Sequence, residues 1–409
     1  MGDDDSDYGD PYDSHTDFDF EFLVEDASNY DPKQTEHRYY PICLGEVLNQ
    51  QYRIEHKLGH GGFSTVWMAH DLKKKVDVAL KIVAEGRGEN EYHMQKEILK
   101  YVKDTSHLTL YLDTFMLPGH GQNHQVLVFP LHGHALSAHT ISDKSMATRM
   151  SAARQLLQAL ESLHKAGIVH RGRSCEPTSE NLLMYSTDLN EQNCTWGMVS
   201  LSHLGKQDKY RKLGRPQRLA IDPEVWKPGE IVKPVSIPEE LCTTDFYLGD
   251  FGLAMKLGTP VVENGRPPEG FCSPDRYFNK GPSTACDMWS YMCIFSVLYC
   301  KLSPFHTRSG FPEVATMVKR LGPLPGQFRG HYLWPEDEES GWYINAPTPG
   351  WDLRGVIKRF GPKGTSPEEL EHVLSIMYKC FRYLPEERPT ATQLLQDPSF
   401  QAIMDIYCH

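Results

Sequence analysis

The chain reads Ile168-Val169-His170-Arg171, then sixteen residues, then Asp188-Leu189-Asn190-Glu191-Gln192-Asn193. Joined end to end, the two flanks give His-Arg-Asp-Leu-Asn-Glu-Gln-Asn. In such a loop the aspartate can accept a hydroxyl proton, and the asparagine five residues later can bind a metal ion. The segment 172–187 divides this motif between its arginine and its aspartate, so the loop is complete in residue types but interrupted in the chain.

The interruption allows two registers for the loop. In the first, the loop ends at Asn181, the aspartate is missing, and Glu176 is the only carboxylate five residues before the asparagine. In the second, 172–187 is an insertion, and Asp188 and Asn193 act as the pair. We favour the second register because it supplies the expected residue types at the expected offset. A longer loop is tolerated, since each doubling of loop length costs only about 0.6 kcal/mol.

Towards the N-terminus, a strand-like stretch leads into Leu58-Gly59-His60-Gly61-Gly62-Phe63-Ser64-Thr65-Val66-Trp67. Glycines at Gly59 and Gly61 let backbone amides approach phosphate oxygens without a Cβ in the way. The chain then reads Val78-Ala79-Leu80-Lys81, a strand whose lysine, fifteen residues after Val66, is suited to pairing with phosphates. The two motifs in this order predict a nucleotide site.

A helix is expected over residues 89–103, with Met94, Ile98, Tyr101 and Val102 facing inward. Glu97 lies in this helix and is predicted to pair with Lys81. The apolar segment 125–131 is expected to form the hinge strand after it. There Pro130 offers only its carbonyl to a purine ring, whereas the amide of His132 can donate.

Several histidines cluster in the sequence near this hinge, at His120, His124, His132, His134 and His139. Their spacing fits no metal-ligand pattern and no cysteine lies among them, so we expect solvated loop histidines. The ten cysteines lack a Cys-x-x-Cys pair, which indicates reduced thiols in an intracellular protein.

Beyond the loop, Phe246-Tyr247-Leu248-Gly249-Asp250-Phe251-Gly252 predicts a strand followed by a carboxylate, Asp250, that binds Mg²⁺. Helices are predicted before and after it, over residues 147–166, 283–301 and, in two or three pieces, 366–404. The stretch 205–218 is basic and is expected to be a solvated loop, with a site for an acidic partner as the alternative.

The net charge of −12 is concentrated at the N-terminus, where residues 1–26 carry eleven acidic side chains and no lysine or arginine. The remainder is near −1, which does not favour nucleic-acid binding. No signal peptide or membrane span is expected. Residues 1–40 are predicted to be a disordered acidic tail.

These motifs, in this order, resemble those of eukaryotic protein kinases over roughly residues 50–404. The glycine-rich strand pair, the hinge Val128-Phe129-Pro130-Leu131-His132-Gly133-His134 and Asp287-Met288-Trp289-Ser290 resemble the serine/arginine-rich-protein kinases, especially short fungal ones. By resemblance Asp287 anchors the catalytic loop, and Arg388 pairs with Asp275 of Ser273-Pro274-Asp275. Asn190 occupies the place of a phosphate-contacting lysine, which is a departure from the family.

The resemblance implies an α+β, bilobal kinase fold, with the N-lobe over 50–131, the C-lobe over 132–404 and a long insert over 194–245. It implies an ATP- and Mg²⁺-dependent serine/threonine kinase of Arg/Ser-rich proteins such as splicing factors, monomeric, and cytoplasmic or nuclear. The catalytic residues are then Asp188, Lys81 and Asn193, and the metal ligands are Asn193 and Asp250. The nucleotide contacts are Leu58, Gly59, Gly61, Val66, Ala79, Lys81, Glu97, Pro130 and His132.

Two further hypotheses remain open because the loop is interrupted. The chain could be a pseudokinase that binds nucleotide or partners as a scaffold. Alternatively, residues 172–187 correspond to forty-eight nucleotides, a whole number of codons, so they could derive from a retained intron. In that case the chain is a non-functional product of a working kinase gene.

Overall fold

The computed structural model describes residues 7–12, 20–31, 33, 38–86, 88–171, 189–221, 225–259, 270–278, 280–305, 313–328 and 342–408. The chain divides into two compact units. The first unit comprises the residues up to Gln95, together with Thr109–His134 and Trp196–Thr243. The second comprises Lys96–Leu108, Ala135–Thr195 and the residues from Thr244 onward.

The strands of the described residues are β1 (Asp10–Pro11), β2 (Val47–Leu48), β3 (Tyr52–Gly61), β4 (Ser64–Asp71), β5 (Val76–Val83), β6 (Asp113–Leu117), β7 (His124–Pro130), β8 (Ile168–Val169), β9 (Cys194–Met198), β10 (Gln217–Ala220), β11 (Glu230–Val232), β12 (Cys242–Leu248) and β13 (Met255–Lys256). The helices are α1 (Phe20–Leu23), α2 (Glu89–Tyr101), α3 (Met146–Lys165), α4 (Lys206–Leu213), α5 (Pro274–Tyr277), α6 (Thr284–Cys300), α7 (Glu313–Leu321), α8 (Leu353–Phe360), α9 (Pro367–Cys380), α10 (Ala391–Leu395) and α11 (Pro398–Tyr407). The structure contains both helices and strands, which confirms the predicted α+β fold class.

The first unit is built on a six-stranded antiparallel sheet in the order β2-β3-β4-β5-β7-β6. Side chains alternate between the two faces of a strand, and β5 follows this rule. Val78, Leu80 and Ile82 pack into one core cluster, while Ala79 belongs to a different cluster. Lys81 therefore lies on the Ala79 face of the sheet, which is also the face of the glycine-rich strand pair.

The prediction of a disordered tail is wrong for residues 7–12 and 20–31. Strand β1 pairs in parallel with β10, and Phe20 and Tyr30 are buried in a cluster with Tyr39. Glu25 is buried and forms an ion pair with Lys57 of β3, whose side chain is also fully buried. The aromatic residues interspersed among the acidic ones explain this result, because their burial offsets the entropy cost of ordering the segment.

The insert 194–245 belongs largely to the first unit rather than to a C-terminal lobe. Its basic stretch forms α4, so the solvated-loop prediction is wrong there. Lys209 is buried and pairs with Glu55 at 2.7 Å and Asp77 at 2.5 Å. Arg215 binds Asp7 and Asp10 of the N-terminal segment. The basic side chains thus bind acidic groups of the same chain, which the overall charge count could not reveal.

The second unit is organised around α6, whose residues from Asp287 to Cys300 are all buried. A helix that is apolar on every side is stable only inside a core, and α3 packs beside it. Helix α3 begins at the N-cap Ser145 and is followed by Gly167, whose φ of 70° ends it. Both helices match their predicted ranges within one residue at each end.

Among the described residues, no helix is both long and apolar enough to cross a bilayer.

The Glu25–Lys57 pair yields a prediction about stability. Replacing Glu25 with Ala leaves a fully buried ammonium group without its partner, and we expect a loss of about 3–5 kcal/mol in the free energy of unfolding. Urea denaturation of the full chain measures this loss. The exposed pair Asp208–Arg211 in the same unit provides the control, since Asp208→Ala should cost less than about 1 kcal/mol. Equal losses in both variants would contradict the role of the N-terminal segment.

Candidate active site

The glycine-rich turn connects β3 to β4, with Gly59 opposite Val66 and Gly61 opposite Ser64. A Cβ placed on Gly59 or Gly61 would meet no atom of the described residues within 4 Å. Packing within the protein therefore does not require glycine at these two positions. The open space fits the approach of a phosphate to the backbone amides, as the sequence predicted.

Lys81 forms an ion pair with Glu91 of α2, with 2.8 Å between Nζ and Oε2. The Glu91 side chain is only 5% exposed, and its Oε1 accepts a hydrogen bond of 3.2 Å from Gln95. Gln95 is itself fixed by a 2.7 Å bond from the amide of Tyr111. This chain of contacts holds the lysine ammonium in one position on the sheet face.

The prediction that Glu97 orients Lys81 is wrong. Glu97 is six residues beyond Glu91, a rotation of about 240° around the helix, and so it points elsewhere. It is one-third exposed and pairs with Lys256, and the hydrogen bond from Lys256 lowers the pKa of the Glu97 carboxyl. The sequence did contain the correct signal, since the inward stripe Met94 and Ile98 extends back by one turn to Glu91.

At the end of β7, the hinge residues line an apolar face of the first unit. Ala79, Leu127 and Phe129 are buried there, and Leu58, Val66 and Leu131 pack against them. Pro130 is the last residue of the strand and pairs with Val78. Burial lowers the pKa of His132 to about 4, so its ring is neutral at pH 7. These surfaces suit a flat apolar ring, as the hinge prediction requires.

In the second unit, Asp287 of α6 anchors the start of the interrupted loop. Its carboxylate accepts bonds from the backbone amides of His170, at 2.9 Å, and Arg171, at 3.3 Å. The ring of His164 lies 2.9 Å from the same carboxylate. The role predicted for Asp287 from the resemblance is therefore confirmed.

Gly249 connects the two flanks of the insertion. Its carbonyl oxygen lies 2.9 Å from His170 Nε2, and its amide donates to the carbonyl of Asn193 at 2.8 Å. The C=O and the N–H of this one residue, which belong to two successive peptide groups, thus contact His170 before the insertion and Asn193 after it. Asp250 follows directly, with a positive φ of 59° that an aspartate tolerates better than most residues.

The structure brings Asn193 next to Asp250, with 3.4 Å between Nδ2 and Oδ2. Asn193 is buried, and its Oδ1 accepts from the amide of Asn190. An amide and a carboxylate side by side match the oxygen ligands that Mg²⁺ prefers, so both residues could hold the ion. This placement favours the second register for the asparagine. Asp188, Glu176, Asn181 and the rest of 172–187 lie outside the described residues, so their predicted roles stay predictions.

Asn190 shows how the loop departs from the family pattern. Its side chain accepts from the amide of Gln192 at 2.7 Å and caps the 3-10 turn Glu191–Asn193. The residue is buried. The position that carries a phosphate-contacting lysine in the family therefore stabilises the loop in this chain.

The predicted pair of Asp275 and Arg388 is also confirmed. Both side chains are buried, with 1% and 0% exposure, and they form an ion pair. Arg388 further donates to the carbonyls of Ala285 and Arg382, at 2.9 and 2.8 Å. The shorter aspartate thus reaches its arginine, and the additional bonds satisfy the guanidinium.

The family model of the protein kinase domain matches residues 52–188 and 239–400. The chain therefore belongs to the protein kinase family. The unmatched stretch between the two matched segments contains most of the insert 194–245. A solved kinase domain, PF14_0431, covers 88% of this chain with a TM-score of 0.58 and 18% identity, which shows the same fold.

The relatives are serine/threonine kinases, and this places the chain among the serine/threonine kinase class of transferases. Serine/threonine-protein kinase SRPK of Physarum polycephalum is 26% identical over 92% of each chain. A serine/threonine protein kinase of Aspergillus fumigatus is 25% identical over 88% of this chain and 87% of its own. SRSF protein kinase 3 of Mus musculus is 31% identical over 36% of this chain and 28% of its own.

Glu91 and Glu97, both on α2, give a direct test of which glutamate positions Lys81. Glu91→Gln should lower Mg²⁺-dependent ATP affinity or phosphate transfer on the order of a hundredfold, because Lys81 loses the partner that positions it. Glu97→Gln is the matched control on the same helix and should change either property less than about twofold. Isothermal titration with ATP and a phosphotransfer assay provide the measurements. The reverse pattern would restore the original assignment.

Proposed function

We propose that this chain transfers the γ-phosphoryl group of ATP to serine or threonine hydroxyls of protein substrates, with Mg²⁺ as cofactor. The observation that carries the proposal is the position of Gly249. Its carbonyl oxygen lies 2.9 Å from His170 Nε2, and its amide donates to the carbonyl of Asn193. These are the two ends of the motif that an uninterrupted catalytic loop joins, so both ends are held at one residue despite the insertion, and the placement of Asp188 decides the rate of transfer.

Each site residue has a specific task in this reaction. Lys81, held by Glu91, would bind the α- and β-phosphates, and the amides of Gly59 and Gly61 would contact phosphate oxygens. Pro130 and His132 would present their backbone groups to the adenine. Mg²⁺, when bound, neutralises charge on the phosphates, and Asp250 and Asn193 would hold it.

Asp188 would accept the proton of the substrate hydroxyl as the phosphoryl group moves in line. It lies five residues before Asn193, the offset that the motif requires, and Leu189 after it is buried. The lysine that normally contacts the phosphate at position 190 is absent. We therefore expect a modest rate even when the loop is intact.

For the substrate class we propose proteins rich in Arg-Ser repeats, which would place the kinase in mRNA processing, in the cytoplasm or the nucleus. The support is the SRPK and SRSF kinase names among its relatives. The rival function is a pseudokinase that binds nucleotide without phosphate transfer. The interruption of the loop between Arg171 and Asp188 favours that rival, so the experiments below separate the two.

Deleting residues 172–187 should restore or strongly raise phosphate transfer without changing the fold. The deletion joins Arg171 to Asp188 and gives a complete His-Arg-Asp-Leu-Asn-Glu-Gln-Asn loop. A misplacement of about 1 Å at the reacting centre can cost on the order of a hundredfold in rate, so we expect a gain of that order. The assay compares parent and deletion chains on an Arg-Ser repeat peptide and on a generic basic substrate.

Three outcomes of this assay would revise the proposal. Equal activity of parent and deletion chains would identify the insertion as a tolerated loop. A well-folded deletion chain that binds ATP but transfers no phosphate would favour the pseudokinase. Preference for the generic substrate over the repeat peptide would count against the proposed substrate class only.

The register of the loop is tested by three single substitutions. Asp188→Ala should abolish whatever transfer the chain performs, on the order of a thousandfold or more, because the proton acceptor is lost. Glu176→Ala and Asn181→Ala should have little effect. The measurement is the initial rate of transfer at saturating ATP. If Glu176 proves essential and Asp188 dispensable, the first register is the correct one.

A further inference from the structure

Three potential metal ligands converge in the first unit. They are His134, which follows the hinge strand β7, and Glu239 and Cys242, near the end of the insert. The imidazole nitrogen, a carboxylate oxygen and the thiol sulfur all lie within 4.8 Å of one another. His134 Nε2 and Glu239 Oε2 are 2.8 Å apart.

We propose that His134, Glu239 and Cys242 form a zinc site that ties the insert to the segment after the hinge. A thiolate, an imidazole and a carboxylate are the ligand types that zinc takes in proteins. Soft sulfur ligation disfavours Mg²⁺ and Ca²⁺, which prefer oxygen alone. The site is therefore chemically distinct from the predicted magnesium ligands Asn193 and Asp250.

The spacing of the three ligand atoms suits a tetrahedral ion. With zinc bonds of about 2.0–2.3 Å, neighbouring ligand atoms lie about 3.4–3.6 Å apart. To bind zinc, the imidazole nitrogen and the carboxylate oxygen would move apart by a few tenths of an ångström. Small side-chain rotations are enough to bring all three ligand atoms to the required distances. Only modest movement is needed to bind the ion.

The backbone on both sides of the site is fixed. The amide of Gly133 donates to Trp196 at 2.8 Å, and the amide of Trp196 donates to the carbonyl of His134 at 3.2 Å. Glu239 opens a 3-10 turn, and the amide of Cys242 closes it by donating to the Glu239 carbonyl. Ligands held on ordered backbone lose little freedom when an ion binds, which raises affinity.

Gly133 gives a further sign of close packing around the thiol. A Cβ on this residue would lie 2.7 Å from Cys242 Sγ, so only glycine allows the sulfur to sit beside His134. By contrast, the Glu239 side chain is 41% exposed. The open side leaves room for a water molecule as the fourth ligand, the arrangement of zinc sites with three protein ligands.

The test uses the full chain, purified under a reductant that does not bind metals, and zinc alone as the ligand. We expect about one zinc ion per chain by mass spectrometry of the metal content, and a dissociation constant below micromolar in titrations. Cys242→Ser should weaken zinc binding on the order of a hundredfold. Cys408→Ser, another partly buried free cysteine, is the matched control and should bind like the parent.

Cobalt replaces zinc and reports the ligands directly. The cobalt-loaded parent should show a sulfur-to-metal charge-transfer band that disappears in Cys242→Ser and persists in Cys408→Ser. If Cys242→Ser fails to fold, Glu239→Gln, changed at the exposed ligand, should still lower zinc affinity at least tenfold. Absence of the band in the parent, or zinc affinity unchanged in both ligand variants, would overturn the proposal and leave the trio as a hydrogen-bonded cluster.

Discussion

The backbone of Gly249 makes the two contacts on which the interpretation of the second unit depends. Its carbonyl meets His170 and its amide meets the carbonyl of Asn193, so two residues twenty-three positions apart in the chain both bond to one residue. Asp287 fixes the first flank from the other side through the amides of His170 and Arg171. With both flanks fixed, an insertion between them lengthens the loop without moving its ends, and loop length alone costs little.

The first unit depends on a different constraint, the burial of charged groups in pairs. Lys57 with Glu25, and Lys209 with Glu55 and Asp77, join segments that are distant in sequence. A buried charge without its partner is costly, so each pair specifies where a peripheral segment must dock. The described parts of the acidic N-terminal segment and of the basic insert therefore belong to the folded unit, where Arg215 binds Asp7 and Asp10 and Lys57 binds Glu25.

The order of motifs was enough to predict the fold, the long helices and several distant pairs. The contacts of Asp287 and the pair of Asp275 with Arg388 followed from resemblance and are present. The choice between Glu91 and Glu97 depends on which face of the helix points inward. The apolar stripe of the helix indicates that face, and one further turn towards the N-terminus leads to Glu91.

Other features could not be predicted from local patterns at all. Docking of the acidic segment depends on partners such as Lys57 and Arg215, far along the chain, whereas composition alone favours disorder. The ligands His134 and Glu239 are separated by more than one hundred residues, so no spacing rule could associate them. Long-range pairs of this kind are decided by tertiary structure, and a single sequence gives no direct signal for them.

The central claim is that Asn193, and not Asn181, completes the metal-binding half of the interrupted catalytic loop. Titration of the full chain with ATP, with and without Mg²⁺, tests it most directly, because binding does not require phosphate transfer. We expect Mg²⁺ to tighten ATP binding in the parent chain and in Asn181→Ala, and this gain to be lost on the order of tenfold in a folded Asn193→Ala variant. Unchanged Mg²⁺ dependence in Asn193→Ala, or its loss in Asn181→Ala, would contradict the account.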